Sequence, residues 1–214
     1  PWPRSYYTHL IRNLKRAGAK AVGLDIVFST PDVRDSTGDD EFRREIREAG
    51  GVVLAGKLDS DRRIYTIHSL TENYGDIFID SAARFGLVNI RTDADGVLRR
   101  YMPFTVDSTR RIPAFSFAVL NAYFDKQRFL TANYAEGSFR FLGRSIPCFD
   151  ATSFLINYYG PSGTFRRIRF EDVIDDQEFV TVEERKYHKE INTFDDPDYG
   201  YLYDGTFRGK IVLV

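Results

Sequence analysis

Ala21-Val22-Gly23-Leu24-Asp25-Ile26-Val27-Phe28 is an almost unbroken apolar run with one carboxylate inside it. Runs of this kind form strands covered on both faces, as in parallel sheets, where no alternation with polar residues is required. The residues before it read as a helix from Ser5, its cap, to about Ala17. Tyr6, Leu10, Ile11 and Leu14 share one face, and Gly18 stands where a helix stops. After the run, Pro31 ends the strand and Asp32–Asp40 is a polar loop. Asp39 is positioned to cap a second helix carrying Phe42, Ile46 and Ala49, closed by Gly50-Gly51. Val52–Ala55 is the next buried strand and Ile211–Val214 a third. This alternation predicts an α/β fold: a mixed sheet with a parallel βαβ-like core, helices on its faces and additional β-hairpins. A first strand is expected ahead of Trp2, so both ends read as boundaries with further protein beyond.

The middle of the chain changes rhythm. Leu58–Leu70 reads as a hairpin around Asp59-Ser60-Asp61, and Ile77–Phe85 as a short helix. Leu87–Ile90 and Val97–Val106 read as strands flanking Thr92-Asp93-Ala94-Asp95-Gly96, with Asp-Gly as the turn signal. Pro113 opens a helix over about Ala114–Phe124. Ser138–Leu142 and Ser145–Phe149 make a hairpin around Gly143, Phe154–Tyr158 is a strand, and Phe170–Ile174 a short helix. Asp175–Gly205 is acidic and Tyr-rich without a sustained period. Residues 1–214 therefore read as one domain with 175–205 as a long insertion, packed less tightly than the rest.

Bulk properties exclude several function classes. Thirty basic and 31 acidic residues give a formal net charge of −1, which provides no global field for nucleic acid. Twenty-three of the cations are Arg, suited to pairing with carboxylates and stacking on rings. A single cysteine, Cys148, rules out an intrachain disulfide and a Cys-based zinc site. No apolar run approaches the ~18 residues of a membrane span. His9, His68 and His188 fall in no metal spacing, and no nucleophile elbow or phosphate loop is present. Asp93-x-Asp95-Gly96 fails as a calcium loop, because Val97 and Leu98 stand where an oxygen ligand and the glycine belong. Arg166-Arg167-Ile168-Arg169 reads as a half-buried edge strand rather than a nucleic-acid face. No metal and no cofactor is expected.

Asp25 is the residue with most chemical interest. A carboxylate inside an apolar strand costs several kcal/mol unless paired or hydrogen-bonded. It is expected to be buried with a partner. It serves either as a satisfied structural acid or as a ligand-binding or catalytic group near the carboxyl edge of the sheet. The candidate ligand-binding residues are polar groups in or beside predicted strands: Asp25, Asn89, Arg91, Asn157 and Tyr158. No catalytic residue is assigned. Three readings stay open: a sensory domain, an α/β hydrolase-like enzyme using Asp25, and a structural dimerisation module.

Four segments in register carry a resemblance. They are Trp2-Pro3-Arg4 with Ala19–Phe28; Gly86-Leu87-Val88-Asn89 with Asp93–Arg100; Ile156–Pro161 with Phe165 and Asp172-Val173-Ile174; and Phe207–Val214. With them, the chain resembles the type-2 CHASE domain, a cyclase- and histidine-kinase-associated extracellular sensor. The resemblance implies the extracytoplasmic, periplasmic or extracellular, part of a bacterial membrane protein, anchored by flanking helices. It implies regulation of a cytoplasmic adenylate or guanylate cyclase, histidine kinase or serine/threonine kinase. The expected partners are a small-molecule ligand and a second copy of the chain. No ligand or catalytic residue comes with the family. The 175–205 stretch is longer than the resemblance leads one to expect.

Overall fold

The computed structural model describes residues 2–33, 36–58, 76–78, 84–107, 110–125, 131–133, 136–187 and 192–214. Helix α1 (Arg4–Arg16) is followed by β1 (Ala21–Leu24), α2 (Ser36–Ala49), β2 (Val52–Gly56) and β3 (Arg84–Leu87). Then come β4 (Arg100–Tyr101), β5 (Phe104–Asp107), β6 (Arg110–Pro113) and α3 (Phe115–Tyr123). The chain continues through β7 (Thr131–Asn133), β8 (Ser138–Phe141), β9 (Arg144–Pro147) and β10 (Phe154–Leu155). Helices α4 (Phe170–Ile174) and α5 (Val182–Tyr187) precede the last strand, β11 (Ile211–Leu213).

The centre is a four-stranded sheet in the order β11-β1-β2-β3, parallel throughout. Alternation divides its side chains between two faces. Val22, Leu24, Val52 and Leu54 meet Leu10, Ile11 and Leu14 of α1 and Phe42 and Ile46 of α2. Ala21, Val53 and Ala55 meet Phe115, Ala118 and Val119 of α3. The result is a three-layer α/β/α core, the expected fold class. Pairs β5–β6 and β4–β10 and the three-stranded β7-β8-β9 are separate antiparallel pieces.

Small residues set the spacing on the α3 side. A Cβ added to Gly86 would lie 2.5 Å from Phe115 Cα, and one on Gly23 would lie 2.9 Å from the Phe115 ring. The helix therefore rests almost directly on the backbone of β3 and meets β1 through the Phe115 ring and Val119. Its first turn sits over Gly23 and Gly86, while Lys20, at the amino end of β1, reaches Tyr123 at the far end of the helix (4.6 Å). Hence α3 runs from the carboxyl end of the sheet toward its amino end.

That geometry corrects the expectation for Asp25. Strand β1 stops at Leu24, and Asp25 is exposed. Its amide still donates to Val214 O (2.8 Å), but its carboxylate has no partner among the described residues. The side chain falls one pleat beyond Gly23, past the first residue of α3, and stands in solvent. Its negative charge stays hydrated, and the cost expected inside a strand never arises.

Other elements shift for equally local reasons. Helix α1 starts at Arg4 behind Pro3, so Ser5 lies within it, and Asp39 lies inside the first turn of α2. Ile77 and Phe78 form a turn and Arg84-Phe85 open β3, so the helix expected over Ile77–Phe85 does not extend across its two ends. Residues 79–83, and all of the Leu58–Leu70 hairpin beyond Leu58, lie outside the described residues. Leu87 pairs in parallel with Gly56, β4 joins β10 and β5 joins β6, so Leu87–Ile90 and Val97–Val106 are not partners in one hairpin. The Asp93–Val97 turn between them does form, closed by Asp93 N–H to Val97 O and Gly96 N–H to Asp93 O, both 2.9 Å. The strand expected over Phe154–Tyr158 is limited to its first two residues, and Arg166–Arg169 carries no strand pairing.

Candidate functional site

Two buried polar centres fasten α1 to the rest of the domain. The first stands at the carboxyl end of the sheet, where the start of α1, the segment after β1, the start of α2 and Asp76–Phe78 converge. Arg4, only 7% exposed, donates from Nε to Asp39 Oδ1 (3.1 Å) and from a terminal nitrogen to Thr30 O (2.6 Å). Its guanidinium lies over the Phe28 ring at 4.6 Å, and Phe28, Phe42 and Phe78 pack edge to face around it. Arg suits this position: a planar fork satisfies an acid and a carbonyl while its face covers a ring. Asp39's other oxygen accepts the Asp32 amide (3.0 Å), which pins the loop entering α2.

Asp76 completes this centre. It is fully buried and accepts the amides of Phe78 (2.8 Å) and Phe28 (3.2 Å). Burial pushes its carboxyl up to about 6, against those two amides and the nearby Arg4 and Arg43. Cost of desolvation outweighs every favourable neighbour, so the group binds a proton in the mildly acidic range.

The second centre lies midway along α1. Asp176 Oδ2 receives His9 Nε2 (2.9 Å), Asn13 Nδ2 (2.9 Å) and an Arg16 terminal nitrogen (3.1 Å). Its Oδ1 receives the amides of Glu178 (3.0 Å) and Phe179 (2.9 Å). Burial alone raises this carboxyl, but the Asn13, His9 and Glu178 donors prevail and hold it below the usual carboxylate range. Asn13 also donates to Val173 O (2.9 Å), so one side chain joins α1 to α4 and to the segment after it. The helical spacing of His9, Asn13 and Arg16 puts all three on one face, and that was the only sequence signal for this site. Asp176, 160 residues and more from its partners, was read merely as part of an acidic insertion.

The sequence-derived candidates scatter around these centres. Asn89 bridges the ends of β2 and β3: Leu58 N–H donates to its Oδ1 (2.8 Å) and its Nδ2 donates to Leu58 O (2.9 Å). Arg91 is exposed with no partner among the described residues. Asn157 is exposed, and the exposed Tyr158 donates its hydroxyl to Leu98 O. A groove of about 850 Å³ runs between α1, Phe165–Phe170 and β11, lined by Leu10, Leu14, Phe207 and Val212 among others. None of the five candidates lines it. No cluster of three or more His, Cys, Asp or Glu suited to a metal occurs among the described residues.

The two polar centres lock one helix of a three-layer α/β core to segments distant in sequence. The whole chain, residues 1–214, matches the CHASE2 domain family, and the protein belongs to that family. CHASE2 domains are the sensory extracellular domains of signalling receptors and are not catalytic. No curated protein and no solved structure matches the chain. Among the described residues, no helix is long and apolar enough to cross a membrane.

Proposed function

We propose that this chain is the ligand-sensing, extracytoplasmic part of a bacterial transmembrane receptor, and that α1 carries its output to a cytoplasmic cyclase, histidine kinase or serine/threonine kinase. The observation that supports this reading is the pair of polar centres spaced along α1. Arg4 ties its first turn to the loops at the carboxyl end of the sheet. His9, Asn13 and Arg16 tie its middle and end to Asp176. Hydrogen bonds of this kind are directional, so a shifted helix must break them as a set or find a second set. That gives two discrete arrangements rather than a continuum.

A ligand selects between them only through its different affinity for each, and such coupling is typically ~1–3 kcal/mol, or about 5- to 150-fold in output. Asp25 and Arg91 offer that ligand an exposed acid and an exposed cation with no partner among the described residues. Asn89 has to trade its Leu58 bonds to take part, and Asn157 and Tyr158 offer exposed groups beside β4–β10. A thermal-shift screen of small metabolites against the wild type, Asp25→Ala and Arg91→Ala is the test. A compound that raises the melting temperature of the wild type and of neither variant supports the site. Receptor output that is unchanged when the domain is deleted defeats the sensory reading.

A further inference from the structure

We propose that the groove between α1, Phe165–Phe170 and β11 binds an amphipathic anion, a carboxylate carrying an unbranched apolar tail. The groove holds about 850 Å³, within the range of sites that enclose a small molecule. Its floor belongs to the core. Leu10 and Leu14, one turn apart on α1, are buried, as are Val173 of α4 and Phe207, and Val212 of the edge strand β11 completes it. The polar lining is Arg166, Arg167, Thr206 and Lys210, and among the described residues no acid lines the groove. An apolar floor with charge of one sign at its rim fits a ligand with an apolar body and one negative end. In such sites the apolar wall supplies affinity and a few polar groups fix orientation.

The rim cations differ from other cations of the chain in what they bond. Arg4, Arg12, Arg16, Arg99, Arg100 and Arg140 each reach a carboxylate. Arg166 instead donates to the Thr206 hydroxyl (3.1 Å) and lies 5.9 Å over the Tyr201 ring. Arg167 donates to the Ser162 hydroxyl (3.4 Å). Neither of them, nor Lys210, forms an ion pair among the described residues. Asp204 is close in sequence, but it is taken by the Thr206 amide (2.7 Å) and hydroxyl (2.5 Å). Thr206 thus holds the Arg166 fork in place without neutralising it, and a planar fork is suited to a carboxylate. The two ends of the groove also differ. Thr206 and Lys210 stand ahead of β11, at the amino end of the sheet, and bring Arg166 there. Val214 lies at the carboxyl end, and Phe170 packs on Trp2 (4.4 Å) and Tyr7 (5.6 Å) beside the start of α1. A carboxylate at the Arg166 and Lys210 end lays its tail along Leu10, Leu14 and Val212. The tail then touches α1 and α4 beside the Asn13 bond to Val173 O (2.9 Å), one of the ties that fasten the helix.

The part this site plays in signalling rests on the sensory reading, but its existence does not. The experiment is isothermal titration of the 214-residue chain with hexanoate, octanoate and decanoate below their micelle concentrations, with amide NMR to place the ligand. Decanoate should saturate at a single site, and each added methylene should tighten binding about two- to fourfold. The amides of residues 10–14, 165–170 and 211–214 should shift. Decanol has the tail without the charge and should bind about tenfold more weakly. The double variant Arg166→Gln, Lys210→Gln changes only exposed side chains, so the fold is kept. It should weaken decanoate about tenfold and leave decanol unchanged. In the full receptor, decanoate should change output, and the double variant should lose that response. Equal affinity for decanol and decanoate, affinity that ignores tail length, or an unaffected double variant overturns the site. So does a chain that self-associates through these amides and takes up no decanoate, which makes the groove an interface between two copies. Decanoate bound here while receptor output ignores it overturns the groove as the sensing site, and leaves the sensory reading to the metabolite screen.

Discussion

Replacing Asp176 with Asn tests whether the centre on α1 is held by charge or only by shape. The side chain keeps its size, but one oxygen becomes an NH2 group. If the remaining oxygen keeps the Glu178 and Phe179 amides, the NH2 faces His9, Asn13 and Arg16, all at 2.9–3.1 Å from the lost acceptor. His9 can switch tautomer and accept, which leaves two donors opposed. Each hydrogen bond to a buried charge contributes about 1.5–3 kcal/mol, and breaking a buried pair typically costs about 3–5 kcal/mol. The expected loss is therefore about 4 kcal/mol. At roughly 2–4 °C per kcal/mol for a chain of this size, the melting temperature should fall by about 8–16 °C at pH 7, read by circular dichroism. The sign with pH is also fixed. The folded carboxyl lies below its ordinary value, so its contribution is present above about pH 4 and lost as pH falls through the folded value. The gap between variant and wild type should narrow in acid. A fall of less than about 3 °C at pH 7, or a gap that widens in acid, would show that Asp176 is a spacer and not the organising charge.

Three further outcomes follow from the packing and titration. Gly86→Ala puts a methyl 2.5 Å from Phe115 Cα, so α3 must lift; urea unfolding should show a loss of about 1–3 kcal/mol with an unchanged m-value. Asp76, raised to about 6, stabilises the fold fully at low pH and loses that contribution as pH rises through 6. Between pH 7.5 and 5 it should add about 1 kcal/mol to urea stability, and Asp76→Asn should remove that slope while costing the amide bond of Phe28 or Phe78. Arg4→Lys keeps a positive charge but cannot serve Asp39 and Thr30 together while covering Phe28, so differential scanning calorimetry should find it destabilised by about 2–3 kcal/mol, close to Arg4→Leu.

The sheet was legible because its strands need little context. Ala21–Leu24 and Val52–Ala55 are apolar on both faces and buried throughout, and that pattern alone implies cover on both sides. Ile211–Leu213 has the same pattern but stands at the sheet edge, half-buried with Leu213 exposed, and is not the buried strand expected. What the pattern cannot reveal is where the cover stops. Asp25 looked buried because its sequence neighbours are apolar, yet the start of α3 above Gly23 leaves it in water. The centres on α1 were hidden for a different reason. Arg4 meets Asp39 across 35 positions and His9 meets Asp176 across 167, so each charge appears ordinary until the fold joins them. Asp175–Gly205 read as loosely packed because it lacks a period. Phe194, at 0% exposure, and the two buried aspartates anchor the described part of that stretch by single residues that no periodicity marks.

The near contact of α3 with the strands has a mechanical side. At Gly86 the backbone of α3 lies on the backbone of β3, and at Gly23 the Phe115 ring and Val119 press directly on β1, so little free space remains to absorb a displacement. The sheet and α3 behave as one stiff plate. On the opposite face Phe28, Phe42, Phe78 and Tyr7 meet edge to face, so the layers there touch through side chains that have rotamers to change once the Arg4 tie is released. Shear in this domain is therefore confined to one of its two interlayer planes. The expected stroke is a shift of α1 and α2 over the sheet once the polar ties of α1 break as a set, and measurements of motion should look for it as a rotation of that layer against α3.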